Sequence, residues 1–101
     1  MMTRAILTAL CLALPLPAAA DEDLARLAEG ALPIDQALDL VAARYRGRMI
    51  AAELDEDDGR TVYDFRWLTP EANVLRIRLD AVTGRFLLVE GVGQTEARIL
   101  P

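Results

Sequence analysis

An α+β fold, with one main helix packed on a four-stranded antiparallel sheet and a short helix ahead of it, is predicted by three observations. Val74 to Val89 (VLRIRLDAVTGRFLLV) sets Leu75, Ile77 and Leu79 in alternation with Arg76, Arg78 and Asp80. That is the period of a strand with one buried face. A second apolar run, Phe86 to Val89, returns after a turn sequence, so the stretch reads as a β-hairpin. Upstream, Asp35 is a good N-cap, and Gln36 to Arg46 runs without a breaker until Gly47.

Taken in order, residues 1–20 read as an export leader. Arg4 gives a positive start, Ala5 to Leu16 an apolar core, and Ala18-Ala19-Ala20 a small-x-small cleavage pattern, with cleavage expected after Ala20. The apolar run falls short of the ~20 residues of a membrane-spanning helix, so no stable membrane insertion is expected after cleavage. The predicted location is the periplasm. Leu10 stands before Cys11 where a lipoprotein signal needs a small residue, and that reading is rejected. Removing 20 of 101 residues leaves 81, enough for one small domain. That domain has no cysteine, so it must hold together without a disulfide.

Residues 21–33 form a short helix and linker: Leu24, Leu27 and Ala28 at helical spacing behind an acidic start, Gly30 as a stop, then Leu32-Pro33 extended. Residues 34–90 form the domain proper. On its main helix Leu38, Val41, Ala42 and Tyr45 share one face. Arg44, Arg46 and Arg48 crowd the expected C-terminal end, where the helix dipole favours cations; an anion or carboxylate site is the sharper alternative. Met49 to Asp55 reads as the first strand, with Ile50, Ala52 and Leu54 inward. Asp57-Asp58-Gly59 makes the hairpin tip. On the second strand, Thr61 to Leu68, the row Tyr63, Phe65 and Trp67 reads as core, opposite Val62, Asp64, Arg66 and Leu68. Asp80, Thr83 and Gly84 form a structural turn, because the two side chains bond nearby backbone and glycine accepts a positive φ. In the last strand Leu87 and Val89 are assigned inward, Phe86 and Leu88 outward. Residues 91–101 are either a frayed tail or a short extra strand ending at Ile99-Leu100.

Composition excludes much chemistry. The chain has no His, Ser or Lys, and its single cysteine, Cys11, lies in the leader. Histidine acid–base catalysis and serine, cysteine or lysine nucleophiles are therefore absent after cleavage. Zinc and copper sites lose their usual ligands, and no metal or other cofactor is expected. The acidic run Glu53 to Gly59 fails the spacing of a calcium loop, whose first and twelfth positions would be Leu54 and Phe65; weak divalent-ion binding is the residual option. Ten Arg against sixteen acids leave the exported part at −6, with no general attraction for nucleic acid.

The ordered combination of Ile34-Asp35-Gln36-Ala37-Leu38, Tyr45-Arg46-Gly47, an acidic Asp-Gly turn before Val62-Tyr63, and Leu79-Asp80-Ala81-Val82-Thr83-Gly84 resembles the PepSY domain in its small exported bacterial form. The likeness covers roughly Leu32 to Glu90. It implies a helix on an antiparallel sheet and no catalytic motif. Members occur in propeptides of thermolysin-like metallopeptidases, in membrane-linked regulators and as solitary exported proteins. The resemblance thus implies a non-enzymatic protein that binds and modulates, by inhibition, a peptidase or an envelope signalling partner. A sensory or accessory role beside a two-component or membrane regulator is the alternative.

The candidate contact surface is the sheet's second face, represented by Val62, Arg66, Arg76, Arg78, Phe86 and Leu88. Apolar residues are mixed there with charges, where a fully solvated face is usually more polar. Simple cross-strand pairing of Asp64 with the arginines is the plainer account of those charges. Strand addition at an exposed sheet edge is a further binding mode. A small carboxylate-based hydrolase and an apolar-ligand carrier rank lower: the acidic turn is too exposed to raise a carboxyl pKa, and Tyr45, Tyr63 and Trp67 fill the space under the helix.

Overall fold

A computed structural model describes residues 28–99. The elements are α1 (Ile34–Ala42), β1 (Arg48–Asp57), β2 (Arg60–Leu68), β3 (Val74–Asp80), β4 (Phe86–Glu90) and α2 (Gln94–Ala97). The four strands form one antiparallel sheet in sequence order, β1-β2-β3-β4. The leader and nearly all of the helix expected over Asp21–Glu29 lie outside the described residues.

The helix is shorter than its sequence suggests. It starts at Ile34 behind Pro33, whose φ of −56° suits a helix entry, and no side chain caps it. Asp35 sits inside the first turn, where its charge still suits the dipole. It ends at Ala42, because Tyr45 leaves the helix to form a β-bridge with Arg98. Arg44, Arg46 and Arg48 therefore lie beyond the last turn, and the dipole account of that cluster is corrected. Arg44 instead stacks over the Phe86 ring at 4.1 Å, and the Arg46 guanidinium donates to the Glu96 carbonyl.

The core lies between α1 and one sheet face: Ala37, Val41 and Tyr45 against Tyr63, Phe65, Trp67, Leu75, Ile77 and Leu79. Two of its polar side-chain groups reach backbone. The Tyr63 hydroxyl donates to the Leu32 carbonyl at 2.5 Å and the Trp67 indole N–H to the Arg46 carbonyl at 3.0 Å. Those bonds anchor the segments on either side of α1 to β2.

Two β-bulges decide which side chains reach this core. In β1 the pairing steps from Met49↔Trp67 to Ala51↔Arg66, leaving Ile50 as the extra residue. Met49, Ala52 and Leu54 pack on the core, while Ile50 is 45% exposed. In β4 the pairing steps from Leu79↔Phe86 to Arg78↔Leu88, leaving Leu87 extra. Phe86 and Val89 consequently face the helix, and Leu87 turns to the other side. Strict alternation gave the wrong facing for Ile50, Phe86 and Leu87, because each bulge inserts one residue into a two-residue period.

The C-terminal segment is neither frayed nor a full strand. Residues 94–97 make one helical turn that buries Ala97 completely. The Arg46 N–H donates to the Ala97 carbonyl and the Ile99 N–H to the Arg44 carbonyl, both at 2.8 Å. This pairing fastens the tail to the stretch leaving α1.

Candidate functional site

The surface opposite the helix is the outer sheet face, built from alternate residues of all four strands. Ala51, Glu53, Asp55 and Asp57 come from β1; Val62, Asp64 and Arg66 from β2; Arg76, Arg78 and Asp80 from β3; Leu87, Leu88 and Glu90 from β4. Among the described residues no helix or strand lies over it.

Its charges are organised around Asp64. Arg76 Nε donates to both carboxylate oxygens at 3.3 and 3.2 Å, and Nη2 to one of them at 2.8 Å. Arg76 also reaches Glu90 at 3.6 Å. Arg78 lies between Asp55, Asp57 and Asp64 at 3.6, 3.5 and 3.5 Å. Its Nε is buried with no hydrogen bond of good geometry, so that arginine is held by charge rather than by directed bonds. Asp64 raises the Arg76 pKa further, first through its hydrogen bond and then through its charge. The plainer account of Asp64 and its arginines, cross-strand pairing, describes this geometry directly.

Arg66, at the middle of the face, has a different setting. Arg66 lies directly across from Arg76, a like-charge pairing that disfavours the sheet. Arg76 turns away to Asp64, and Arg66 is exposed with no carboxylate partner among the described residues. Ala51, across from Arg66 on the other side, has too little bulk to fill its place. The result is a depression of about 210 Å³ lined by Ala51, Ala52, Glu53, Asp55, Asp64, Arg66 and Arg76. A second hollow, about 320 Å³, lies between Val62, Leu87, Arg60 and the Asp57-Asp58 tip.

The expected contact residues thus separate. Arg66, Arg76, Arg78 and Leu88 share the outer face. Val62 points there too, but at 1% exposure it has little surface to offer, lying beside Arg60 and Leu87. Phe86 belongs to the helix side, for the bulge reason given above. Leu87, Ala51 and Glu53 join the face; a one-residue insertion in β4 leaves no trace in hydropathy by which Leu87 could have been found.

The turn residues act as anchors of the scaffold. Asp80 Oδ1 accepts the N–H groups of Val82 and Thr83 at 2.9 and 3.0 Å, and Thr83 Oγ1 accepts that of Arg85 at 3.2 Å. Gly84, at φ 78°, donates to the Asp80 carbonyl at 2.8 Å. The Thr83 and Val82 bonds, in that order, hold the Asp80 carboxyl below its ordinary pKa, with Arg60 helping at 3.6 Å.

The described residues thus form a four-stranded meander with α1 on one face and charged side chains on the other. The sequence model of the PepSY family, described as "Peptidase propeptide and YPEB domain", matches residues 31–90, and the chain belongs to that family. No curated protein and no solved structure matches it. PepSY domains are generally non-catalytic propeptide or regulatory domains. Among the described residues no helix is long and apolar enough to cross a membrane.

Proposed function

We propose that this protein is an exported, non-enzymatic modulator that binds a peptidase or an envelope signalling protein through its outer sheet face, working in the periplasm once its leader is removed after Ala20. Arg66 carries the reading. A guanidinium placed against another arginine costs the sheet stability, and a partner carboxylate set into the adjoining depression would recover that cost. Arg76, Arg78 and Leu88 would frame the contact, with Leu87 at its margin. Arg76 and Arg78 already have carboxylate partners, whereas Arg66 has none among the described residues, so a partner's carboxylate is expected to pair with Arg66.

Inhibition is the expected direction, because family members accompany peptidases as propeptides. The test is site-specific photo-crosslinking from positions 51 and 66 in the living cell envelope. Adducts with one peptidase or one sensor protein are expected at both positions and absent from a probe at Asp39, exposed on α1 across the sheet. Equal labelling from all three positions would remove the outer face from consideration.

A further inference from the structure

Among the described residues the sheet has two free edges, and they are treated differently. The β1 edge is guarded by charge and by one of its own carboxylates. Glu53, Asp55, Glu56, Asp57 and Asp58 crowd its distal half, and the Asp55 carboxylate accepts the Glu56 N–H at 2.8 Å. Counting from the two-residue turn at Asp58-Gly59, that N–H faces away from β2, so an outward donor is already occupied. Such devices discourage pairing with another chain.

The β4 edge carries no charge between Arg85 and Glu90, and its bulge at Leu87 turns Leu87 and Leu88 to one face while Phe86 and Val89 stay opposite Leu79 and Ile77, two residues apart on β3. Phe86, Leu87, Leu88 and Val89 are uncharged and only half-buried, and no described backbone group bonds to their outer side. The tail does not cover the strand, because after Gly91 it passes beside Val74 and Asn73 to reach Tyr45. Arg85 precedes the apolar run and Glu90 ends it. The six residues Arg-Phe-Leu-Leu-Val-Glu therefore read as their own complement when laid antiparallel.

We infer that β4 pairs edge to edge with β4 of a second copy of this chain, joining two sheets into one of eight strands about a two-fold axis normal to the sheet. In that register Arg85 meets Glu90 of the partner subunit, Phe86 meets its Val89, and Leu87 its Leu88. The faces agree as well as the charges. Phe86 and Val89 both turn to the helix side, Leu87 and Leu88 to the outer side, and opposed residues in an antiparallel pair must share a face. A two-fold contact requires this self-complementarity. The inference stands apart from the proposed outer-face contact, since Arg66 lies two strands away.

A six-residue pairing is only about 20 Å long, so the association is weak and needs high concentration to show. Sedimentation equilibrium of the purified protein between about 10 µM and about 1 mM tests it. The mass should climb from one chain toward two. Arg85→Glu and Glu90→Arg should each weaken association about tenfold, since each reversal acts at both ends of the contact. The combined Arg85→Glu/Glu90→Arg chain should associate like the wild type, and Leu87→Lys should not associate. Circular dichroism confirms that each variant is folded. A single-chain mass at every concentration, a dimer indifferent to the single reversals, or a folded double reversal that fails to recover would each overturn the inference.

Discussion

Asp80 shows how much one side chain can settle. Its carboxylate takes the place of a backbone acceptor for two consecutive N–H groups and leaves the chain at Gly84, where a left-handed φ brings it back toward β4. Because folding lowers its pKa, its contribution is fully present above the unfolded carboxylate value, about pH 4, and is lost as pH falls through the lower folded value. Asp80→Asn keeps an acceptor oxygen but cannot titrate. It should be less stable than wild type at neutral pH, with the difference shrinking below about pH 4 in urea denaturation series. Gly84→Ala is expected to cost about 1–3 kcal/mol in the same assay. It demands φ 78° of an alanine and sets the new methyl carbon 2.5 Å from Leu40 Cδ1. The residues that alternation and turn chemistry address directly, Tyr63, Phe65, Trp67, Leu75, Ile77, Leu79 and Asp80, all take the places their sequence implies.

At the level of elements, what hydropathy could not carry is the position of the bulges. A period of two assigns faces correctly only while the strand is regular, and one inserted residue reverses everything on one side of it. Leu54 and Ala52 were legible because they lie beyond the β1 bulge; Ile50 was not, because it is the bulge. Phe86 was misread for the same cause, and with it one member of the expected contact surface. The extent of α1 was hidden for a different reason. The helix propensity of Ala42, Ala43 and Arg44 is high, and it cannot distinguish a continuing helix from a chain recruited into the distant bridge between Tyr45 and Arg98. Mutation separates the two readings of facing. Ile50→Thr should change stability by less than about 0.5 kcal/mol, whereas Phe86→Ala, which removes core contacts and the Arg44 stacking, should cost about 2 kcal/mol or more.

For the molecule as a whole, the family domain of residues 31–90 is completed by the segment C-terminal to it. The turn at Gln94–Ala97 buries an alanine in the core and supplies two backbone bonds to the stretch after α1. Truncation after Glu90 should lower the melting temperature by about 10 °C, as expected when roughly 2 kcal/mol is lost from a domain of this size. With the helix and tail occupying one side, the other side of the sheet is the proposed contact face, and Arg66 at its middle has no carboxylate partner among the described residues. Inhibition of peptidase activity in the cell envelope tests that division of labour most directly. Added wild-type protein should suppress one activity in a saturable manner, and Arg66→Glu, equally folded, should lose at least tenfold in potency. Unchanged hydrolysis by every envelope peptidase and no change in any sensor's output, or equal potency of Arg66→Glu and wild type, would contradict the account.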